Sequence, residues 1–383
     1  MGFGKGLTLF LSLYYIVFYI CRYSILPIIP FFIEYMGMPH IRAGLIVSSL
    51  YIGYAMMLIP SGFLCRRIGS RRMIVVGALI SSLSNLLIPL SYKWMNIVVF
   101  INGIGQGFIW PSLMNLVARN YSKDEVDYVI GSLLTASIFG PSITFVLIGV
   151  FLSILRWEDI FLITSLILFI FTIFFSHLVK DNDLKKNSQE RGLKKVLLNR
   201  NIWLLGIIYL FFYAVIRGLV SWLPTILVQE LGISIALSSI FTGVFPIINA
   251  IGGFTGTYVL RKTSFKEKYM MFISFTNSSI ILLLLYTYMN MSIPLFLMLF
   301  LFISLPEWFF FTLPPKFVLN EYVGLASAII DTLGYIGSFL GTFLIGLLYD
   351  LSNTYKIIFM VYFLYMIFNA FLSLAIRETN RLN

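Results

Sequence analysis

Charged residues, cysteines and histidines are scarce in this sequence. Aspartate, glutamate, lysine and arginine together make up 11% of its 383 residues, less than half of the roughly 25% that a soluble domain usually carries. The two cysteines, Cys21 and Cys65, lie far apart in hydrophobic segments, which argues against a disulfide or a metal site. The two histidines are also far apart, and nucleotide-binding, zinc-binding and nucleophile motifs are absent. We therefore expect no cofactor, no metal and no enzymatic activity.

Hydrophobic residues, in contrast, make up 59% of the chain, and its mean hydropathy is +0.94. Such a chain needs lipid as its solvent, and in lipid only helices or closed barrels satisfy every backbone polar group. Long unbroken apolar stretches favour helices. The sequence therefore predicts an all-α membrane protein with twelve transmembrane helices. The predicted segments are 7–33, 42–65, 73–91, 95–117, 128–152, 158–179, 202–229, 233–259, 269–289, 292–314, 322–348 and 355–376.

The 27 lysines and arginines are distributed unevenly between the two sides of the predicted membrane. If the N-terminus is cytoplasmic and the helices alternate, 21 of them lie on the cytoplasmic side, four on the other side and two within helices. This bias follows the positive-inside rule. It predicts a multi-pass protein of the cell membrane with both termini in the cytoplasm. The net charge of +11 is thereby explained by topology and implies no nucleic-acid partner.

The two halves of the chain resemble each other. Tyr19 in the first predicted helix and Tyr213 in the seventh are each followed eleven residues later by a proline. One arginine, Arg22 or Arg217, lies within each interval. Internal repeats of this kind are usual in secondary transporters.

The longest charged loop lies between predicted helices six and seven. It divides the chain into an N-terminal six-helix bundle at 1–180, a cytoplasmic linker loop at 181–200 and a C-terminal six-helix bundle at 201–383. The prediction is therefore two pseudo-symmetric bundles with a central site between them.

The loop after the second predicted helix, G-F-L-C-R-R-I-G-S-R-R from Gly62, resembles the signature loop of the major facilitator superfamily. The usual acidic residue of that loop is replaced here by Arg66. The resemblance implies the major facilitator fold and a role in gating for part of this loop. The implied gating residues are Gly62, Arg67, Gly69 and Arg71.

A narrower resemblance is to the organophosphate:phosphate antiporter family. It rests on G-I-G-Q-G-F-I-W-P-S from Gly103, on Tyr19-x-x-Arg22, on Trp222-x-Pro224-Thr225 and on Gly334-Tyr335-x-Gly337. The resemblance implies that Arg22 binds substrate. This sequence departs from the family pattern at a second arginine, a histidine and a lysine, whose places are taken by Ile216, Ser137 and Leu58. A singly charged carboxylate or phosphate-like anion therefore fits as well as a phosphate ester.

Four charged residues lie firmly within predicted helices: Arg22, Arg217, Glu307 and Asp331. A charge at mid-membrane costs about 2.5 to 3.5 kcal/mol on insertion scales, so it is a functional candidate by default. Because guanidinium groups suit carboxylates and phosphates, the two arginines are the predicted substrate ligands. The carboxylates are the predicted proton-coupling groups. The alternative is that each arginine is held in an ion pair with one of the carboxylates.

Other candidates follow from helical spacing. Tyr19 and Tyr213 lie on the same helix faces as the two arginines and are predicted to bind substrate. Gln106 and Trp110 lie four residues apart in predicted helix four, where they either line the cavity or take part in packing around neighbouring glycines. The motif Gly337-x-x-x-Gly341 likewise predicts close helix packing.

The function predicted from the sequence is secondary active transport of a small organic anion, such as an organophosphate, by exchange or with protons. One alternative is a proton-coupled transporter of neutral or cationic solutes, such as sugars or drugs, in which Glu307 and Asp331 bind and the arginines are structural. A membrane sensor is less favoured because the tails are short. The expected partners are an anionic small molecule and the lipid bilayer, and the family resemblance implies a monomer.

Overall fold

All regular secondary structure in the part of the chain that the structure describes is helical. The structure is a computed structural model, and it describes residues 5–179, 196–263, 265–288, 292–319 and 322–377. The first eight α-helices are α1 Lys5–Tyr23, α2 Ile29–Met36, α3 His40–Ile68, α4 Ser70–Leu87, α5 Met95–Gly107, α6 Ile109–Asn120, α7 Lys123–Phe151 and α8 Trp157–Leu178. The remaining nine are α9 Arg200–Leu231, α10 Ile235–Thr242, α11 Phe245–Lys262, α12 Glu267–Thr287, α13 Ser292–Ser304, α14 Phe309–Thr312, α15 Pro314–Phe317, α16 Val323–Ser352 and α17 Lys356–Leu374.

Within the described residues, eleven stretches of helix are long and apolar enough to cross a membrane. They correspond to eleven of the twelve predicted segments. The other predicted segment, 73–91, is largely helical as α4 but falls short of the same apolarity. The reason is its polar content, which includes Arg71, Arg72, Asn85 and several serines. Its buried polar side chains form a hydrogen-bonded network that is described below.

The first membrane-crossing stretch, Gly6–Met36, consists of two helices joined by a turn. Proline has no N–H to donate and fixes its own φ angle, so it interrupts a continuous helix. Pro27 and Pro30 follow the end of α1 at Tyr23, and the chain continues through a short 3₁₀ turn into α2. Arg22 therefore lies in the last turn of α1, near the middle of the stretch.

Three other membrane-crossing stretches also consist of two helices, and in two of them the interruption lies beside a candidate site residue. Pro111 cannot donate to the carbonyl of Gly107, and the chain passes from α5 to α6 at this position. Pro306 lies between α13 and α14. Trp110 and Glu307 are each adjacent to one of these prolines, so both lie where a helix is interrupted. Discontinuous helices are typical of transporter binding sites.

The chain forms two compact units that differ from the predicted division. Part of α3 and the segment Leu223–Pro246 each belong with the unit dominated by the other half of the chain. The division into two six-helix bundles stays a prediction. Residues 180–195, which include most of the predicted linker loop, lie outside the described residues. The first unit comprises Met1–Met38, Leu45–Lys186 and Leu223–Pro246, and the second comprises Pro39–Gly44, Asn187–Trp222 and Ile247–Asn383.

In the first unit, α1 packs against α7 and α8, and α4 packs against α5, α6 and α8. Helix α10 also packs against α7, and two glycines allow the close approach. A Cβ on Gly149 would lie 2.8 Å from the carbonyl oxygen of Ala236, and one on Gly243 would lie 3.0 Å from that of Ser142. These glycines explain why the segment containing α10 belongs with the first unit.

In the second unit, glycines bring α16 against α9. A Cβ on Gly337 or Gly341 would collide with the backbone carbonyl of Leu210 or Ala214, respectively. Small residues of this kind let membrane helices approach closely enough for extensive van der Waals contact. The predicted packing role of Gly337-x-x-x-Gly341 is therefore present in the structure.

The end of α16 also caps the start of α3 within the second unit. One carboxylate oxygen of Asp350 accepts a hydrogen bond from the backbone N–H of His40 at 3.2 Å, and the other accepts one from Ile41 at 2.8 Å. The imidazole of His40 lies 3.2 Å from the same carboxylate and stacks on Tyr349 with the ring centroids 3.8 Å apart. A carboxylate at a helix N-terminus accepts hydrogen bonds from otherwise unpaired N–H groups and interacts favourably with the helix dipole.

Replacing Gly341 with alanine should destabilise the protein, because the new methyl group would collide with backbone that cannot move aside. Overpacking of this kind typically costs about 1 to 3 kcal/mol. A thermal-shift assay of the purified protein in detergent should show a lower Tm for Gly341→Ala. The matched control is Gly324→Ala in the same helix, where a Cβ meets open space. Equal Tm values for the two variants would contradict the packing role.

Candidate functional site

The first unit contains a small pocket near the middle of several of the membrane-crossing stretches. It is lined by side chains from α1, α3, α5 and α6 and encloses about 10 Å³, which is roughly the space that one water molecule needs. Within this unit the pocket can therefore hold one small group rather than a whole organic molecule. The lining residues are Tyr15, Phe18, Tyr19, Arg22, Tyr54, Gln106, Ile109 and Trp110.

Arg22 is the only charged residue among those lining side chains, and it is buried, with 4% of its surface exposed. Its guanidinium carbon lies 4.1 Å from the ring centroid of Tyr54, 5.1 Å from that of Tyr23 and 6.0 Å from that of Tyr19. A desolvated cation–π contact is worth about 2 kcal/mol. These rings therefore offset part of the cost of placing a cation inside the membrane.

Two further aromatic contacts shape the pocket. Trp110 stacks on Tyr15 with the ring centroids 5.7 Å apart and the planes inclined by 24°. The Tyr19 ring packs against Gly140 of α7, where a Cβ would lie 2.7 Å from it. A larger residue at that position would displace Tyr19. The face of α1 that carries Tyr15 and Tyr19 is thus held in place by contacts with α6 and with α7.

Gln106 is held by a chain of buried amides. Its Nε2 donates to Oδ1 of Asn102 at 3.4 Å, and Nδ2 of Asn102 donates to Oδ1 of Asn85 at 3.2 Å. Nδ2 of Asn85 in turn donates to Ser24 at 3.3 Å and to Thr164 at 3.0 Å. The network connects the pocket to α4 and α8, and it explains the polar character of α4.

The glycines beside Gln106 serve packing at the same time. A Cβ on Gly103 would collide with the carbonyl of Leu50, and one on Gly107 would lie 2.9 Å from the carbonyl oxygen of Tyr54. The two interpretations of this segment, cavity lining and close packing, are therefore both present. The glycines pack against α3 and thereby bring Tyr54 into the pocket.

The second unit contains a cluster of charged and aromatic residues around Arg217. Its Nη2 donates to the hydroxyl of Tyr213 at 3.4 Å, and the guanidinium carbon lies 5.0 Å from the same ring. The Tyr213 ring packs edge-on against Tyr335 at 5.7 Å and lies 4.1 Å from the ring of Tyr209. Arg217 is half-buried, whereas the three tyrosines are buried.

Glu307 and Asp331 belong to the same cluster. Both carboxylates interact electrostatically with Arg217, and both side chains are half-buried. Two carboxylates beside one guanidinium give the cluster a net charge of −1 when all three groups are ionised. An excess charge is costly at mid-membrane. The cluster is therefore suited to bind a cation or to take up a proton.

The predicted site residues thus fall into two sets. Arg22, Tyr19, Gln106 and Trp110 come together in the first unit, and Arg217, Tyr213, Glu307 and Asp331 come together in the second. Their roles in substrate binding and coupling, and a shared site for the two arginines, stay predictions.

The predicted gating residues lie around the junction of α3 and α4: Gly62 and Arg67 are in α3, Gly69 is between the two helices and Arg71 is in α4. Gly69 has φ of 99° and occupies the turn, a conformation that only glycine adopts readily. The Nη2 of Arg71 donates to the backbone carbonyl of Ser176 near the end of α8. Arg67 is exposed, and a Cβ on Gly62 would meet open space, so packing does not require glycine there. The gating role of these residues stays a prediction.

Sequence reasoning missed Tyr54, although its ring makes the shortest cation–π contact to Arg22. It lies in α3, which is distant in sequence from Arg22. Its tyrosine-rich surroundings, Tyr51 to Tyr54, are the only signal in the sequence.

A family model described as Major Facilitator Superfamily matches residues 11–342 of the chain. The chain belongs to the Major Facilitator Superfamily. The predicted family and fold class are confirmed, and the eleven apolar helical stretches agree with a multi-pass membrane protein. The gating-loop resemblance around Gly62 was therefore a correct indication of the family.

Curated relatives within this superfamily are distant in sequence. The hexuronate transporter of Bacillus subtilis (strain 168) is 21% identical over 72% of this chain and 70% of its own length. The glycerol-3-phosphate transporter of the same organism is 26% identical over 57% of this chain and 56% of its own length. For several of these relatives, the chain spans about three fifths of their length.

Solved structures match over nearly the whole chain. A bacterial homologue of the human lysosomal transporter Spinster, in an inward-facing and occupied conformation, has a TM-score of 0.84 and is 14% identical, with coverage of 97% of this chain and 96% of that chain. A D-xylose–proton symporter has a TM-score of 0.78 and is 16% identical, with 98% of each chain covered. At these identities the likeness shows the major facilitator fold.

Replacing Asn85 with leucine should destabilise the first unit, because Asn102, Ser24 and Thr164 each lose a hydrogen-bond partner in the protein interior. Leaving a buried polar group unsatisfied costs about 1 to 3 kcal/mol. The Tm of Asn85→Leu in detergent should therefore fall. The control is Asn96→Leu, which makes the same exchange at a half-buried position in the first turn of α5. An unchanged Tm for Asn85→Leu would show that the amide network does not stabilise the fold.

Proposed function

We propose that this protein is a secondary active transporter of a small organic anion. The observation that carries the proposal is the buried Arg22 in the last turn of α1, held beside Gln106 and three tyrosine rings near the middle of a membrane-crossing stretch. Aromatic rings contact the faces of a guanidinium, whereas a carboxylate or phosphate binds its edge through paired N–H groups. Arg22 can therefore contact the tyrosine rings with the faces of its guanidinium group and bind an anion with its edge.

The chemistry of the relatives supports the same substrate class. A hexuronate carries a carboxylate and glycerol 3-phosphate carries a phosphate, so the named substrates of both relatives are small organic anions. A single guanidinium can bind either group in a bidentate manner. The proposal therefore covers sugar acids and phosphate esters alike.

The proposed mechanism is alternating access, in which the protein exposes its site to one side of the membrane and then to the other. Substrate binding would stabilise the closed intermediate between these states. The charge bias supports an orientation with both termini in the cytoplasm of the cell. We further propose that the protein works as a monomer and has no enzymatic activity.

The cluster around Arg217 is the proposed coupling element. Because one guanidinium offsets only one of the two carboxylates, a proton on Glu307 or Asp331 would neutralise the cluster. Movement of this proton with the substrate would couple transport to the proton gradient. A second candidate function follows from the same excess negative charge, namely proton-coupled transport of a cationic or neutral solute bound at Glu307 and Asp331.

Replacing Arg22 should weaken anion binding. Truncating one partner of a buried charged contact costs about 2 kcal/mol or more. Arg22→Ala should therefore raise the Kd for the anion roughly thirtyfold or more. Arg22→Lys keeps the charge but loses the bidentate fork and should be intermediate. The measurement is a thermal-shift titration of the purified protein with sugar acids, phosphate esters, sugars and cationic drugs.

The matched control for this titration is Arg156→Ala, which removes an exposed arginine paired with Glu158. It should leave anion binding unchanged. Stabilisation by neutral or cationic compounds that survives Arg22→Ala would reject the anion site and favour the second candidate function.

Removing a coupling carboxylate should separate exchange from accumulation. In proteoliposomes with an imposed proton gradient, Glu307→Gln or Asp331→Asn should lose gradient-driven accumulation and retain exchange of internal for external substrate. The control is Glu230→Gln at the exposed end of α9. Undiminished accumulation in both cluster variants would rule out proton coupling through these residues.

A further inference from the structure

The second unit contains a cavity of its own, which lies apart from the cluster around Arg217. It has a volume of about 170 Å³, more than roughly ten times the space that one water molecule needs. It is formed by the start of α12 with the residue before it, by α15 with the residue before it, and by Ile376 and Arg377 just beyond the end of α17. The lining residues are Lys266, Glu267, Lys268, Leu313, Lys316, Phe317, Ile376 and Arg377.

The backbone of the cavity walls is held in place by hydrogen bonds from neighbouring side chains. Asn201 of α9 holds the backbone of Arg377 from both sides, since its Nδ2 donates to the Arg377 carbonyl at 2.9 Å and its Oδ1 accepts from the Arg377 N–H at 3.2 Å. Asn199 donates to the carbonyl of Phe317 at 2.8 Å. Ser373 donates to the carbonyl of Lys268 at 3.3 Å. The three lining segments are therefore held in place relative to α9 and α17.

The lining is strongly basic. Four of its eight side chains are lysine or arginine and one is a carboxylate. That carboxylate, Glu267, forms an ion pair with Lys316. Helix α12 begins here, so the N-terminal end of its dipole adds positive potential. The net charge of the lining side chains is therefore +3, which favours a multiply charged anion.

The base of the cavity is apolar. Leu313, Phe317 and Ile376 are all buried, with between 4% and 9% of their surfaces exposed. The lining segments lie at the ends of membrane-crossing helices, where Glu267–Thr287 begins and Lys356–Leu374 has just ended. This is the level at which lipid headgroups meet the protein, and basic pockets between helices at this level suit anionic headgroups.

We propose that this cavity is a binding site for a phosphate group at the membrane surface, supplied by an anionic phospholipid. The basic rim binds the phosphate and the apolar base accepts the adjoining glycerol and acyl carbons. Soluble inorganic phosphate offers the same charged group without the apolar part. The site shares no residue with the pocket around Arg22 or with the cluster around Arg217, so it does not depend on the proposed substrate class.

The test is native mass spectrometry and thermal shift of the purified protein with phosphatidylglycerol, phosphatidylcholine or inorganic phosphate. All samples carry Arg22→Ala, so that phosphate binding at the candidate substrate pocket does not contribute. The cavity variant is Lys266→Gln with Arg377→Gln. The matched control is Arg261→Gln with Lys262→Gln, which removes two exposed charges just before the same loop.

Phosphatidylglycerol should form adducts and raise Tm, and the cavity variant should reduce the adduct fraction at least roughly fivefold while the control does not. A response to phosphatidylglycerol alone identifies the lipid as the source. An equal response to inorganic phosphate keeps the site but rejects the lipid. Equal lipid binding by the cavity variant and the control overturns the proposal. If the double variant does not fold, the single Arg377→Gln variant is compared with Arg261→Gln in the same way.

Discussion

No water reaches the hydrocarbon core of a membrane, so each backbone N–H and C=O of this chain must find its partner within the protein. This constraint produces the helices and also makes their interruptions informative. Where Pro27, Pro111 and Pro306 remove donors, the chain turns or restarts within the membrane. Arg22, Trp110 and Glu307 lie beside these interruptions. These three candidate residues are therefore found where the regular helix is interrupted, whereas Arg217 and Asp331 lie within continuous helices.

The same constraint applies to side chains. The amides of Asn85, Asn102 and Gln106 are buried together because each satisfies another, and isolated burial of any of them would be costly. Arg22 is buried against the rings of Tyr19, Tyr23 and Tyr54, which offer its guanidinium group a favourable electrostatic contact.

The two clusters in the membrane-crossing helices and the basic cavity at their ends differ in electrostatic character. The pocket around Arg22 carries one positive charge, whereas Arg217 with Glu307 and Asp331 carries an excess negative charge. At the ends of the helices, the cavity near Arg377 is again positive. An anion site, a proton site and a headgroup site require different charge balances, so the three proposed functions do not compete for the same residues.

The sequence by itself determined the helices, the family and the stripe of Tyr19 and Arg22, because hydrophobicity and the 3.6-residue period are properties of local sequence. It also indicated Gln106 and Trp110 by their spacing. Only the tertiary structure decided that Tyr54 contacts Arg22, that Asn85 supports Gln106 and that the segment with α10 belongs with the first unit. These contacts join distant parts of the chain, and they depend on how closely glycines allow helix backbones to approach. A motif such as Gly337-x-x-x-Gly341 predicts that a helix packs closely, but it does not specify which helix it packs against.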